Sequence, residues 1–303
     1  MLEIDYCALQ SEPSNAIRNH LRDYCSKRSL PYYNIREHSG LMRNLIVRTS
    51  TTGDVMVIVV FAQRSEEIVP LLENLRENFP QITSLMYCIN EKFNDTLGDQ
   101  DIKCFAGKDH IEERMTSFDG KGELRFKIRP KTFYQTNSLQ AEKLYHQAAE
   151  FAGITKDDIV YDLYTGCGTI ANYVASLSKK VVGIEYVEDA VEDARLNSEF
   201  NNINNTTFFA GDMAKILTEE FIEQNGRPDV IITDPPRAGM AESVINQLLA
   251  TKARKIVYIS CNPATQARDL VLLQSKYAVG RIRPVDMFPH TQHVENIVEL
   301  ILK

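Results

Sequence analysis

After Gly153 the sequence alternates short apolar runs with longer stretches of helical periodicity. The apolar runs are IVYDLY (159–164), VVGIEY (181–186), TTFFAG (206–211), DVIITD (229–234) and KIVYIS (255–260). Alternation of strand and helix predicts an α/β fold in which helices cover a doubly wound, parallel sheet. This feature constrains the fold most, because each pair of adjacent parallel strands needs a long crossover connection.

The last two apolar stretches break this alternation. VGRIRPVDMF (279–288) and ENIVELILK (295–303) are joined only by PHTQHV, which is too short for a helical crossover. The last strand is therefore predicted to run antiparallel. Five parallel units followed by a terminal hairpin resemble the Rossmann-like fold of the S-adenosylmethionine-dependent methyltransferases.

A smaller α+β domain is predicted before this sheet. Its elements are a hairpin of strands at 42–49 and 55–61, a helix over 65–78 and a strand over 82–89. A strand over 123–129 and a helix capped by Asn137 or Ser138 and ended by Gly153 follow. We therefore predict a small domain over residues 1–125 and a catalytic domain over residues 126–303.

Composition restricts the class of protein. The 303 residues are 44% hydrophobic and 25% charged, which is typical of a globular protein. No apolar run approaches about 18 residues and the start lacks signal-peptide order, so we predict a cytoplasmic protein without membrane contact. Its 6 cysteines include no C-x-x-C pair, which argues against a metal site or an iron–sulfur cluster in this chain. A net charge of −7 leans away from RNA unless a local basic patch exists.

The stretch DLYTGCGT (162–169) leaves the first parallel strand and enters a helix. Gly166 and Gly168 would let the backbone approach a cofactor, although a glycine-rich turn also serves tight packing. Glu185 ends the second strand, where a carboxylate can accept the ribose hydroxyls of a nucleoside. Asp212 follows the third strand and could meet an adenine amine. The alternative for both acids is a solvated loop charge.

DPPR (234–237) ends the fourth strand, where its prolines would aim Asp234 into the crevice. Methyltransferases that act on exocyclic amines carry a similar tetrapeptide with an aromatic last residue. Arg237 takes that place here, which argues against amine methylation. The alternative is that the two prolines only terminate a strand.

Cys261 ends the fifth strand and is followed by Asn262 and Pro263. A lone cysteine is usually a small hydrophobic residue, but the parallel topology brings Tyr164, Asp234 and Cys261 to one edge of the sheet. The antiparallel last strand begins at that edge with Glu295. Carbon 5 of uracil becomes nucleophilic after a thiolate adds to carbon 6, and a base must later remove the carbon 5 proton. Cys261 and Glu295 could supply these two roles, with His290 and His293 as the next candidates for the base.

The motifs FYQTN (133–137), DLYTGCGT, DPPR, SCNP (260–263) and HVE (293–295) resemble, in this order, the RNA uracil-5-methyltransferase family. That family uses S-adenosyl-L-methionine to make 5-methyluridine in tRNA or 23S rRNA. The resemblance implies that Cys261 is the nucleophile and Glu295 the general base. It also implies a pocket for cofactor and target base, lined by Gln135, Tyr164, Gly166, Gly168, Thr169, Glu185, Asp212 and Asp234. Phe133 would stack on a flipped uracil or, alternatively, belong to the core.

Two features of the family are missing from this sequence. Many members carry an N-terminal oligonucleotide-binding barrel, and some hold a four-cysteine iron–sulfur cluster, of which Cys7 resembles the last ligand. The resemblance therefore implies a short or truncated form. The remaining basic residues are predicted to track an RNA backbone or, alternatively, to form a solvated face: Arg125, Lys127, Arg129, Lys131, Arg281 and Arg283.

Three functions compete at this point. The leading prediction is a uracil-5-methyltransferase acting on RNA, with 23S rRNA favoured over tRNA. Cytosine-5 methylation uses the same thiol chemistry, and a non-catalytic RNA-binding module could keep a vestigial cofactor pocket. The presence of both Cys261 and Glu295 favours an enzyme.

Overall fold

The computed structural model describes residues 4–303. The chain divides into two compact units, and each contains two segments of the sequence. Unit 1 runs to Glu113 and also includes Lys127–Lys131, whereas unit 2 comprises Arg114–Phe126 and Thr132–Lys303. The sequence predicted one domain boundary at 125/126. In the structure the chain crosses from one unit to the other three times, at 113/114, 126/127 and 131/132.

Unit 1 contains a four-stranded sheet and two helices. In chain order these are α1 (Ser14–Lys27), β1 (Met42–Thr49), β2 (Val55–Phe61), α2 (Ile68–Asn78), β3 (Ser84–Ile89) and β4 (Lys103–Gly107). The strands lie in the order β1-β2-β3-β4, and β1 and β2 form the predicted antiparallel hairpin. Every residue of β2 is buried, because this strand lies inside the sheet.

Two strands, β5 (Ile111–Thr116) and β6 (Glu123–Ile128), form a separate two-stranded sheet. In β6 the buried Phe126 and Ile128 alternate with Arg125 and Lys127, as the alternating sequence predicted.

The first helix of unit 2 is α3 (Ser138–Ala152). The Asn137 side chain caps this helix by accepting from the Gln140 N–H, and Gly153, at φ +56°, ends it in the left-handed conformation. The remaining elements are β7 (Ile159–Leu163), α4 (Thr169–Ala175), β8 (Lys180–Glu185), α5 (Glu188–Phe200), β9 (Thr206–Ala210), α6 (Met213–Ile216), α7 (Glu219–Asn225), β10 (Val230–Thr233), α8 (Glu242–Thr251), β11 (Lys255–Ser260), α9 (Pro263–Leu273), β12 (Tyr277–Val285) and β13 (Glu295–Leu302).

The strands of unit 2 form one seven-stranded sheet in the order β12-β13-β11-β10-β7-β8-β9. The neighbouring pairs β11-β10, β10-β7, β7-β8 and β8-β9 are parallel, and β13 is antiparallel to both β11 and β12. This confirms the predicted mixed sheet. From β7 the chain winds outward to β8 and β9, then returns to β10 on the other side. A crevice therefore opens at the carboxyl ends of β7 and β10.

We call this edge the rim; it consists of the carboxyl ends of β7, β8, β10 and β11 and the start of β13. The core beneath it is apolar: Tyr161, Ile231 and Tyr258, on three neighbouring strands, are each 0% exposed. Such a core fixes the strand ends rigidly, so side chains placed there have defined positions. Within residues 4–303, no helix has the length and apolar character needed to span a membrane.

Candidate active site

Cys261 and Glu295 lie side by side at the rim. The antiparallel ladder pairs Ser260 of β11 with Asn296 of β13, so the next positions toward the rim are those of Cys261 and Glu295. Asp234 follows β10, the neighbour of β11 on its other side. The structure thus brings together the thiol and the two carboxyl groups that the sequence predicted to converge.

The residues after Cys261 begin a helix. Asn262 caps α9 by accepting from the Ala264 N–H at 3.2 Å, and Pro263 occupies the first turn, where its missing N–H leaves no bond unmade. Cys261, which is half-buried, therefore occupies the connection between a strand end and a helix start. The positive end of a helix favours a nearby thiolate.

Arg237 adds contacts and charge to the site that sequence reasoning missed. Its carbonyl accepts from the Asn262 side-chain amide and from the Thr265 hydroxyl, both at 3.1 Å, which ties the DPPR turn to the start of α9. Burial and the charges of Glu295 and Asp234 raise the pKa of the Cys261 thiol, while the charge and hydrogen bond of Arg237 lower it. The sequence signal for this contribution was a basic residue, Arg237, in the turn that follows Asp234.

Carboxyl groups at the rim hold their protons unusually well. Burial raises the pKa of Glu295 to about 7, and Arg237 opposes this rise. The pKa of Asp234 is raised well above its ordinary value by burial and by the charges of Glu295 and Asp162. Perturbed groups of this kind cluster at functional sites.

Asp162, the last polar residue inside β7, was also missed as a site candidate. It is 0% exposed, and burial raises its pKa to about 7. Its Oδ2 accepts from the Thr165 hydroxyl at 2.5 Å and from the Ala171 N–H at 2.9 Å. In the described part of the chain, Asp162 Oδ1 and Glu295 Oε2 are buried without a hydrogen-bond partner. The motif DLYTGCGT begins with Asp162, so the signal was present.

The two glycines of the loop differ in their surroundings. Gly168 has φ +78°, and a Cβ there would lie 2.9 Å from Ala194 Cβ, so this glycine is required for packing against α5. Gly166 has φ +54°, and among residues 4–303 no heavy atom outside Gly166 and its two chain neighbours lies within 4 Å of the position its Cβ would take. The space beside Gly166 is therefore open to a ligand.

Glu185 joins the end of β8 to this loop. Its Oε2 accepts from the Gly166 N–H at 3.1 Å, and its Oε1 accepts from the N–H groups of Tyr186 at 2.7 Å and Val187 at 3.0 Å. Thr169, the first residue of α4, is buried, with its hydroxyl 3.3 Å from Cys167 Sγ.

Tyr164 follows β7 and Asp212 follows β9, the two strands that flank β8 and Glu185. Tyr164 has φ +63°, and burial, followed by the charges of Asp269, Glu185 and Asp212, raises its pKa to about 12. Asp212 caps the short helix α6 through the Ala214 N–H at 3.0 Å and lies 3.7 Å from Lys215 Nζ. Asp212 therefore has a structural role beside its predicted one.

The FYQTN segment (133–137) contacts the glycine loop at the end of β7. Phe133 is 71% exposed, so the core alternative for this ring is wrong. Its carbonyl accepts from Cys167 Sγ at 3.4 Å, which joins the segment to the glycine loop. Gln135 is half-buried. His290 and His293 are exposed in the loop that leads into Glu295.

One residue of the predicted basic track has an intramolecular partner. Arg281 Nε lies 2.8 Å from Glu299 Oε2, and its guanidinium packs 4.3 Å from the centre of the Phe151 ring. Arg281 is thus held by an ion pair in the middle of β12. Arg283 is exposed nearer the rim. Of the alternating residues, Arg125 belongs to unit 2, whereas Lys127, Arg129 and Lys131 belong to unit 1.

Two features of the described chain concern possible ligands. Among residues 4–303, no group of three or more His, Cys, Asp or Glu side chains could hold a metal ion. A groove of about 440 Å³ lies around Phe118, His146 and Tyr173, and none of the predicted site residues lines it.

Comparison with known proteins identifies the family. A family model described as tRNA (uracil-5-)-methyltransferase matches residues 98–303. The chain belongs to the tRNA (uracil-5-)-methyltransferase family. Among solved structures, a Pyrococcus abyssi tRNA (uracil-54, C5)-methyltransferase in complex with S-adenosyl-L-homocysteine is 30% identical, with a TM-score of 0.80 over 99% of this chain and 70% of that chain.

Curated relatives in the family are longer than this chain. A Bacteroides thetaiotaomicron protein named as an uncharacterized RNA methyltransferase is 54% identical over 307 residues, covering 100% of this chain and 66% of the relative. A Porphyromonas gingivalis protein of the same name is 54% identical over 308 residues, covering 99% of this chain and 64% of the relative. The chain thus spans just under two thirds of the length of these family members.

Proposed function

We propose that this chain carries the methyl-transfer site of an RNA uracil-5-methyltransferase that uses S-adenosyl-L-methionine. The RNA is 23S rRNA or tRNA, Cys261 is the nucleophile and Glu295 is the general base. One observation carries the proposal: a thiol and a carboxyl group with a pKa of about 7 lie at adjacent positions of neighbouring strands. Membership of the tRNA (uracil-5-)-methyltransferase family supports it.

The proposed cycle uses the two residues at different moments. Cys261 Sγ, after losing its proton, bonds to carbon 6 of the uracil, and the electron pair of the 5,6 double bond makes carbon 5 nucleophilic. When bound, S-adenosylmethionine would supply an electrophilic methyl group to carbon 5. Glu295 then removes the proton from carbon 5, the double bond returns and the bond from Cys261 Sγ to carbon 6 breaks.

The charges around Cys261 and Glu295 suit this order of events. A pKa of about 7 lets Glu295 exist as carboxylate and as acid near neutral pH, which favours proton transfer in both directions. Arg237 opposes the rise of both pKa values, so it favours the thiolate needed for attack and the carboxylate needed for release.

The residues of unit 2 fit the cofactor. Gly166 borders open space, and Glu185 beside it presents a carboxylate at the end of β8. Asp162 adds a buried carboxyl oxygen that has no hydrogen-bond partner in the described chain. S-adenosylmethionine carries a sulfonium and an ammonium group, and cations of this kind stabilise a set of closely spaced carboxylates. Asp234 would contact either the cofactor or the edge of the target base.

The exposed ring of Phe133 suits base stacking. An aromatic side chain that is 71% exposed at the rim offers a face to an extruded uracil. Because Phe133 and Cys167 of the glycine loop share a hydrogen bond, a stacked base would lie near the proposed cofactor site.

The proposal is tested by transfer of a labelled methyl group to total RNA, followed by nucleoside analysis of separated 23S rRNA and tRNA. We expect labelled 5-methyluridine. C261A should give neither product nor covalent adduct. E295Q should accumulate methylated RNA that stays bonded to the protein in denaturant, because attack needs no base but release does.

The control is C104A, which removes an exposed cysteine from unit 1 and should leave transfer unchanged. Labelled 5-methylcytidine would favour cytosine-5 methylation instead. RNA binding without transfer would favour a non-catalytic module. Normal turnover by E295Q would require a different base.

A further inference from the structure

The loop 286–294 leads from β12 directly into Glu295, the first residue of β13. Two side chains from the start of α3 hold the beginning of this loop. Asn137 Nδ2 donates to the Met287 carbonyl and Gln140 Nε2 donates to the Asp286 carbonyl, both at 2.8 Å. The loop backbone is thereby joined to the segment that carries Phe133 and Gln135.

Asn137 makes two different bonds with its two side-chain atoms. Its Oδ1 caps α3 by accepting from the Gln140 N–H at 3.3 Å, whereas its Nδ2 reaches Met287, which is 1% exposed. A helix cap needs only the acceptor. The amide donor is therefore an additional feature, and Ser or Asp would cap the helix without it.

The rest of the loop is a compact turn. The Thr291 N–H and hydroxyl both bond to the Phe288 carbonyl, at 3.0 and 2.7 Å, and the Thr291 Oγ1 accepts from the His293 N–H at 3.2 Å. His290 adopts φ +70° within it. A compact turn moves as one body, so anchors at its first residues also restrain its last.

We propose that Asn137 and Gln140 are positioning residues that hold Glu295 against Cys261 by anchoring the 286–294 loop. The inference rests on the proposed function of Glu295. A strand end frays more easily than its middle, and Glu295 stands at the end of the ladder, opposite Val285. A shift of about 1 Å in a catalytic group can lower a rate about a hundredfold. Bonds that restrain the loop would act on release of the adduct and leave attack by Cys261 unchanged.

The test uses N137S, N137D and Q140M, which remove the donors; Ser and Asp keep the cap, and Met keeps the helix. Q147M is the matched control, because Gln147 lies on the same helix and donates to Glu150 at 2.8 Å, away from the loop. Hydrogen exchange of the amides in 288–294 should become about fivefold to tenfold faster in the three variants. It should not change in Q147M.

The functional readout separates methyl transfer from release in a single turnover of labelled cofactor on RNA. The variants should release the methylated RNA about tenfold more slowly and accumulate denaturant-resistant adduct, with the rate of transfer changed less than twofold. A purely structural role would slow both steps together or lower only the melting temperature. Faster exchange with normal release, or unchanged exchange, would overturn the inference. A wild-type protein that methylates no RNA would overturn the proposed function and this inference with it.

Discussion

The Glu295 carboxylate should destabilise the folded protein at pH 8, above its pKa of about 7. Its carboxyl group is 9% exposed, and its Oε2 has no hydrogen-bond partner within the described residues. E295Q replaces the ionisable group by a neutral one of the same shape. We therefore expect E295Q to raise the free energy of unfolding of unit 2 at pH 8.

The size of this effect follows from the pKa. The rise from 4.5 to about 7 corresponds to about 3 kcal/mol of difference between the protonated and ionised forms. Solvent at the rim screens part of this, which leaves about 2 kcal/mol. Because the folded pKa is raised, the favourable contribution is complete below pH 4.5 and is lost as the pH rises through about 7. The advantage of E295Q should thus be near zero at pH 4 and about 2 kcal/mol at pH 8.

Urea denaturation and thermal melting at pH 4, 6 and 8 measure this difference. About 2 kcal/mol corresponds to a rise in Tm of about 4–8 °C for a unit of this size. E299Q is the matched control on the same strand, and it should have the opposite effect. Lys255 and Arg281 lower the pKa of Glu299 to about 2, so E299Q should destabilise the protein at pH 8. Equal stability of E295Q and wild type at pH 8 would refute the reasoning.

Three further predictions concern the rim. R237Q should slow alkylation of Cys261 by iodoacetamide about twofold to fivefold at pH 8, because the variant loses a partly screened charge that favours the thiolate. Unchanged alkylation would contradict the effect of Arg237 on the Cys261 thiol. E185A should weaken binding of S-adenosylhomocysteine by about 1.5–3 kcal/mol in calorimetry, the scale of a charge-assisted hydrogen bond, and normal affinity would remove Glu185 from the site. The preference for S-adenosylmethionine over S-adenosylhomocysteine should grow about tenfold from pH 6 to pH 8, since Asp162 and Glu295 lose their protons near pH 7 and then favour the sulfonium cation. A preference that does not change with pH would exclude this coupling.

The sequence predicted unit 2 well because its signals are local and repeated. Short apolar runs, the Asn137 cap and a final connection too short for a helix each follow from a simple physical rule, and each was observed, although the connection spans 286–294 rather than only PHTQHV. The helix α1 was missed, although Ile17, Leu21 and Cys25 are buried at helical spacing. The strand β4 gives a weaker signal because its residues are exposed or half-buried without strict alternation.

The candidate site was predictable only in part. Residues that end strands, such as Asp234 and Cys261, could be placed because parallel strands end at one edge. Arg237 and Asp162 were missed because their importance depends on charge and burial in three dimensions. The bond from Asn137 to Met287 joins positions 150 residues apart, and no local pattern indicates such a contact. The pairing of Arg281 with Glu299 was also missed, because the sequence does not show that these two residues lie opposite each other.

Two glutamates on β13 have opposite pKa shifts. Glu295 and Glu299 are both buried, at 9% and 4% exposure, yet their pKa values are about 7 and about 2. Lys255 and Arg281 both lie 2.8 Å from Glu299 oxygens, so the charge of this group is fully compensated. At Glu295 Arg237 opposes the effect of burial only in part. Desolvation is the largest influence on the pKa of Glu295, whereas the hydrogen bond from Arg281 is the largest influence on that of Glu299. Glu295, whose charge is compensated only in part, lies at the rim beside Cys261. A carboxyl group there that can both take up and release a proton suits the proposed chemistry.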